Sequence, residues 1–195
     1  MNDINIIKRA MRGKYLKLRD DMPEDVRGKK SAAIAGHLYE TPAYKSCREV
    51  FIFHNAGSEV DTRGVINRAI RDGKTVALPV VVKIPEKNML FIQYAPGDML
   101  IKNKFGIYEP EPDADKVMKS GDKTLIVAPG AVFSKDGRRV GYGGGYYDKY
   151  LSENIYLMCA GICFDLQIDE DVPEDEGDMR TDFVITESGV FGKFK

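Results

Sequence analysis

The chain has 195 residues, of which 43% are hydrophobic and 30% charged, so it has the size and composition of a soluble protein with one sizeable core. Lysine and arginine total 29 against 30 acidic residues, and the net charge of −1 excludes any global pull toward nucleic acid or a membrane surface. A basic site must therefore be local, and with no bilayer-length apolar run and no apolar signal core ahead of the first charges, the expected compartment is the cytoplasm.

Ile4, Ile7, Met11, Tyr15 and Leu18 recur at helical spacing and predict an amphipathic helix over residues 4–20. Lys8, Arg12 and Arg19 fall on a neighbouring face, with Lys8 and Arg12 one turn apart, which reads either as a solvated basic face or as a pair of cations aimed at a polyanion. Pro23 suits the first turn of a second helix running to Tyr39, with Val26, Ala33, Ile34 and Leu38 inward and His37 beside them in a structural place. Thr41-Pro42 ends it. Cys47, Cys159 and Cys163 fit a reduced compartment, and the latter two lie in an apolar run as small hydrophobes. With only His37 and His54 to join them, a zinc site is not expected.

Glu49–Phe53 reads as an interior strand. Asp61 or Thr62 caps a following helix whose inward positions are Val65, Ile66, Ala69 and Ile70, and Gly73 stops it. Thr75–Leu78 is the next strand, ended by Pro79, and the unit predicts a parallel crossover. Glu59 lies on the loop after the first strand, an edge where open α/β sheets bind ligands; as a solvated loop acid it would have no such role. Met89–Tyr94 forms a strand that pairs as a hairpin through the turn at residues 83–88. Residues 104–112 read as an ordered loop with little helix or strand character, in which Glu109 is either functional or simply exposed.

Thr124–Ala128 is a buried strand ending at Pro129-Gly130. Ala131-Val132-Phe133 and the turn at residues 134–137 lead into Gly141-Tyr142-Gly143-Gly144-Gly145-Tyr146-Tyr147-Asp148, with Arg138, Arg139 and Lys149 alongside. Such a loop at the start of a helix over Tyr146–Leu151 reads as an anion cradle or as a tight strand-to-helix turn. In the first reading Asp148 would hold a metal ion that accompanies phosphates. Ile155–Phe164 and Phe183–Thr186 are the last strands, and the acidic stretch between them reads as a surface loop in which one or two carboxylates face a cation. The alternation of elements predicts a single domain over residues 1–195.

The run from Ile126 to Asp148, with its Pro-Gly turn, Phe133-Ser134-Lys135-Asp136-Gly137 and GYGGGYYD, resembles the signature of the 5-formyltetrahydrofolate cyclo-ligase family. Lys8-Arg9-x-x-Arg12, Ser58-Glu59-Val60-Asp61-Thr62, Leu78-Pro79 and Phe105-Gly106-Ile107-Tyr108-Glu109-Pro110 are similar to further segments of that family, so the resemblance covers nearly the whole chain. It implies a single three-layer α/β domain with a mostly parallel central sheet and helices on both faces. It implies ATP-dependent conversion of 5-formyltetrahydrofolate to 5,10-methenyltetrahydrofolate in a monomer, with Mg2+ and a folate with or without a polyglutamate tail. ATP would meet Lys8, Arg9, Arg12, Arg139 and Gly141, Tyr142, Gly143, Gly144, Gly145, Tyr146, Tyr147 and Asp148. Arg12, Arg139 and Tyr147 would be catalytic, Glu59 and Tyr147 would bind the folate, and Asp148 and Asp182 would hold the metal. Gly177-Asp178 stands where many members carry His-Asp, so any role of that histidine has no carrier here. The rival readings are a non-catalytic folate or nucleotide binder, and a sugar-phosphate isomerase or acyl-group transferase on a related scaffold. The chain lacks GxxxxGK[ST], which argues against a P-loop nucleotidase.

Overall fold

The structure is a computed structural model and describes residues 3–83, 88–103 and 106–192. Helix α1 spans Asp3–Asp20. Its buried face differs from the expected one. Tyr15 is buried, but Ile7 and Leu18 are 47% and 45% exposed, while Lys8 and Arg19 are buried. Residues 8, 12, 15 and 19 share one helix face. The cations lie on the packed side because their long apolar stems bury well when the charged heads find partners.

Helix α2 (Glu24–Glu40) is preceded by Pro23 as its N-cap, and the short α3 (Pro42–Ser46) follows at once. Thr41 joins them: its hydroxyl donates to Leu38 O at 2.7 Å and accepts from Tyr44 N at 3.1 Å. Ile34 and Leu38 are buried as expected. Ala33 is exposed, and Ser31 turns inward instead to accept from Asp61 N at 3.0 Å. His37 Nε2 lies 3.3 Å from Glu187 O, a structural place.

Strand β1 (Glu49–Ile52), helix α4 (Arg63–Arg71) and strand β2 (Thr75–Lys83) make the expected parallel crossover. Thr62 is the N-cap of α4, but its hydroxyl ties Phe53 O and Asn55 N instead of capping, and Asp61, one residue earlier, accepts from Arg63 N at 3.0 Å. Pro79 does not end β2. Pairing with β1 stops at Ala77, so beyond it β2 is an edge on that side and tolerates a residue without an N–H. Strand β3 (Asn88–Tyr94) pairs antiparallel with β2, and the turn expected between them lies mostly outside the described residues, at 84–87.

The segment read as a loop contains β5 (Tyr108–Pro110), which pairs with β4 (Leu100–Lys102); residues 104 and 105 lie outside the described residues. Then come β6 (Val117–Met118), β7 (Thr124–Ala128), β8 (Val132–Phe133), β9 (Arg139–Val140), helix α5 (Tyr146–Glu153), β10 (Met158–Ile162), β11 (Phe183–Thr186) and β12 (Gly189–Gly192). The main sheet has the order β12-β11-β10-β7-β1-β2-β3-β6. Its five strands from β11 to β2 run parallel, with antiparallel neighbours at both ends.

Alternation along each strand separates the two faces. Val50, Ile52, Leu125, Val127 and Ile185 pack with residues of α2, α3 and α4. Phe51, Phe91, Ile126 and Cys159 face the other way, toward Tyr150 and Leu151 of α5. This is the expected three-layer arrangement. Helix α1 packs through Tyr15 on the β8–β9 hairpin, which brings its cations to the loops that follow β1 and β7. Burial pushes the thiol of Cys159 up to about 12, as suits a core residue. No helix among the described residues is long and apolar enough to cross a membrane.

The β8–β9 turn depends on Gly137, whose φ is +94° and whose missing Cβ would lie 2.0 Å from Thr181 O. Both the backbone conformation and the space demand glycine. Gly137→Ala is expected to lower the unfolding free energy by about 3 kcal/mol, read from urea denaturation; an unchanged midpoint would contradict this packing.

Candidate functional site

A cavity of about 1110 Å³ opens at the carboxyl ends of β1 and β7. That is the edge where α/β sheets place ligands, and its volume exceeds what one small ligand requires. Its wall comes from α1, the loop after β1, the β5 segment, the glycine loop and the start of α5. Lys8, Arg12, Glu59, Arg139 and every residue from Gly141 to Asp148 line it, so the structure brings together most of the residues singled out in the sequence. Arg9 does not line it and is exposed on α1.

The cations of this wall are in different states. Lys8 Nζ pairs with Asp175 at 2.7 Å and closely with Asp178. Burial lowers the Lys8 pKa, but the two carboxylates more than offset this and raise it above the ordinary lysine value. Two members of the acidic stretch thus face a cation. Arg139 Nη2 donates to Asp148 Oδ1 at 2.6 Å, and Nη1 lies 3.4 Å from Pro129 O. Arg19 donates from Nε to Ser58 Oγ at 2.9 Å and from Nη1 to the Tyr142 hydroxyl at 2.8 Å. Arg12 differs: its Nε donates to Gly141 O at 2.7 Å, and among the described residues it has no ion pair. It is a half-buried cation with no counter-charge, and burial and the neighbouring Arg9 hold its pKa below the ordinary arginine value.

Beside Arg12 lies the glycine loop. Gly143 and Gly145 have φ of +96° and +69°, and a Cβ on Gly143 would project to 3.7 Å from the Arg12 guanidinium. Among the described residues the amides of Gly143, Gly144 and Gly145 donate no hydrogen bond. Unused amides at the start of α5, next to an unpaired cation, suit an anion. The loop's other reading, a strand-to-helix turn, is also true of its backbone, since Gly145 is the N-cap of α5.

Asp148 accepts from Arg139 and from Met179 N at 3.2 Å with Oδ1, which leaves Oδ2 for a cation. Asp182, expected beside it as a metal ligand, does not line the cavity: its carboxylate accepts from Cys159 N at 2.8 Å and joins β10 to the start of β11. Among the described residues no group of three or more histidine, cysteine or acidic side chains is arranged to hold a metal. A single carboxylate fits a magnesium ion that is held largely by phosphate oxygens.

The Tyr147 hydroxyl is buried without a hydrogen-bond partner, with Arg139 5.9 Å from the ring. Burial raises its pKa well above the tyrosine range, so it is a neutral donor. Glu59 is fixed by Ala56 N at 2.8 Å and by a close hydrogen bond from Tyr142. Tyr142, expected on the phosphate side, thus turns its hydroxyl to Glu59. Glu109 also lines the cavity, accepting from Asn103 at 3.0 Å, and burial raises its pKa. The sequence placed Arg19 on the basic face of α1, Ser58 in the Glu59 segment and Asp175 and Asp178 in the acidic stretch, but it did not pair them with Tyr142, Arg19 and Lys8. Arg19 was legible as the fourth member of the 8, 12, 15, 19 face, but the two aspartates lie far from Lys8 in sequence and carry no local signal.

Residues 5–187 match the model of the 5-formyltetrahydrofolate cyclo-ligase family. The 5-formyltetrahydrofolate cyclo-ligase of Escherichia coli is 32% identical over 159 residues, covering 80% of this chain and 87% of the relative. That of Mus musculus is 27% identical and covers 94% and 95%. The solved structure of Aquifex aeolicus 5,10-methenyltetrahydrofolate synthetase aligns with a TM-score of 0.80 at 27% identity, covering 95% of this chain and 92% of that one.

Proposed function

The chain belongs to the 5-formyltetrahydrofolate cyclo-ligase family, and from that premise we propose that its cavity closes 5-formyltetrahydrofolate to 5,10-methenyltetrahydrofolate at the expense of ATP. The observation that carries the phosphate side is Arg12, without an ion pair among the described residues, beside glycine-loop amides that donate to none of them. The formyl oxygen is a poor leaving group. It attacks the γ-phosphorus, ADP departs, and the oxygen becomes part of a phosphate ester. N10 then attacks the formyl carbon, and that carbon–oxygen bond breaks to release phosphate, while the N10 proton passes to solvent.

Such a reaction needs alignment and charge neutralisation more than covalent help. Arg12 and the loop amides hold the phosphates, and Arg139 adds positive charge from behind Asp148. Lys8 joins them when the phosphates compete with Asp175 and Asp178. Tyr147 donates its free hydroxyl to the formyl group, and Glu59 accepts from the pterin N–H groups. Asp148 would hold Mg2+ through Oδ2, and the ion would supply charge neutralisation at the phosphate oxygens. Within this reading the enzyme is a monomeric, cytoplasmic, single-domain protein acting on folate with or without a polyglutamate tail.

Purified protein mixed with 5-formyltetrahydrofolate, ATP and Mg2+ is expected to form methenyl product, followed by its absorbance, with one phosphate per product. Folded protein that gives no product under these conditions would sink the proposal.

A further inference from the structure

Glu59 stands in a setting that does not favour its charge. It is half-buried, and burial raises its pKa above the ordinary glutamate value. Yet a carboxylate must be ionised to accept from two adjacent N–H groups, such as those on the amino-oxo edge of a pterin. Among the described residues three elements face it. The glycine loop contributes the Tyr142 hydroxyl, α5 contributes Tyr147, and α1 contributes Arg19 behind Tyr142. Of these only Arg19 is a cation. Its charge reaches Glu59 through the tyrosine, which accepts from Arg19 and donates to Glu59. Arg19 is itself fixed by Ser58, which donates to Asp20 on α1, so the guanidinium is held at both ends of its fork.

Tyr142 is 44% exposed as a residue although its hydroxyl is engaged inward. Its ring also lies 5.8 Å from the Arg19 guanidinium, so its position is set by its contacts with Arg19 and its hydrogen bond to Glu59. Those bonds join α1, the loop after β1 and the glycine loop at one carboxylate.

We infer that Arg19 and Tyr142 are positioning residues that aim Glu59 at the folate ring and keep it ionised for substrate binding. This rests on the ring-closure reading for the identity of the ligand. Each bond in the chain is charge-assisted, so its loss lowers affinity for the group that Glu59 receives.

The test is the affinity for 5-formyltetrahydrofolate without ATP, measured by calorimetry from pH 5 to 8 on the full chain, with ATP affinity measured separately. Tyr142→Phe keeps the ring and removes the relay. Its Kd for the folate is expected to rise about 10-fold at neutral pH, the size expected for a hydrogen bond to a charged group. Removing the support raises the Glu59 pKa, so the acid-side loss of folate affinity moves to higher pH. Arg19→Met does the same, Arg19→Lys restores part of the shift, and ATP affinity stays at the wild-type value throughout. A folate Kd and pH profile unchanged in Tyr142→Phe would overturn the inference, as would an equal loss of ATP affinity. Normal turnover with an unchanged folate Kd in the variants removes the relay and leaves ring closure intact. Folate binding that shifts in the variants, with no turnover in the wild type, does the reverse. A wild-type protein that does not bind the folate overturns both.

Discussion

Asp148→Asn is expected to lower kcat by about 10²- to 10³-fold while the protein stays folded. The substitution keeps an oxygen to accept from Arg139 and Met179 N, the two contacts made by Oδ1. What it removes is the negative charge and Oδ2, the oxygen left for a cation. Arg139 is 7% exposed, so Asp148→Ala would also strand a buried guanidinium and cost stability, of order 3–5 kcal/mol. Comparing the two variants separates the chemical role from the structural one. If Asn and Ala both turn over at the wild-type rate, Asp148 has no part in the reaction.

Arg12→Ala is the second large effect. It should raise KM for ATP and lower kcat, with a combined loss in kcat/KM of about 10³-fold. The other cations of the wall already have partners in the protein: Lys8 has two aspartates, Arg139 has Asp148, and Arg19 has Ser58 and Tyr142. Among the described residues Arg12 is held through one Nε bond to Gly141 O, which leaves its other donors for an anion. Because those donors form a planar fork, Arg12→Lys should recover only part of the loss. The thermal midpoint should change little, since no buried ion pair is broken. An ATP KM equal to wild type in Arg12→Ala would remove this arginine from the phosphate site.

The central parallel strands were legible because their neighbours bury both faces, which leaves continuous apolar runs such as Thr124–Ala128 and Phe183–Thr186. Strands at the margins were not. β4, β5, β6 and β12 are two to four residues long and lack a buried run, and β5 lies in a stretch whose Gly and Pro read as punctuation. Pro79 misled in a different way: proline excludes a central strand, but here the neighbouring strand has already stopped. In the site, Gly141–Asp148 was legible since three successive glycines need a use. The partners were less so. The face of α1 that turns inward is set by Lys8, Arg12 and Arg19, which a hydrophobic pattern counts as outside. The likeness of Asp182 to a metal ligand came from its place in the motif, while its bond to Cys159 N needed the β10–β11 pairing to be seen.

Ring closure through a phosphorylated formyl oxygen makes that oxygen leave carbon already bonded to phosphorus. It is tested most directly by a single turnover of substrate carrying 18O in the formyl group, with ATP and Mg2+, and mass analysis of the phosphate released. One 18O is expected in each inorganic phosphate formed alongside methenyl product. Methenyl product accompanied by unlabelled phosphate would contradict it, because the oxygen would then have left without ever being bonded to phosphorus.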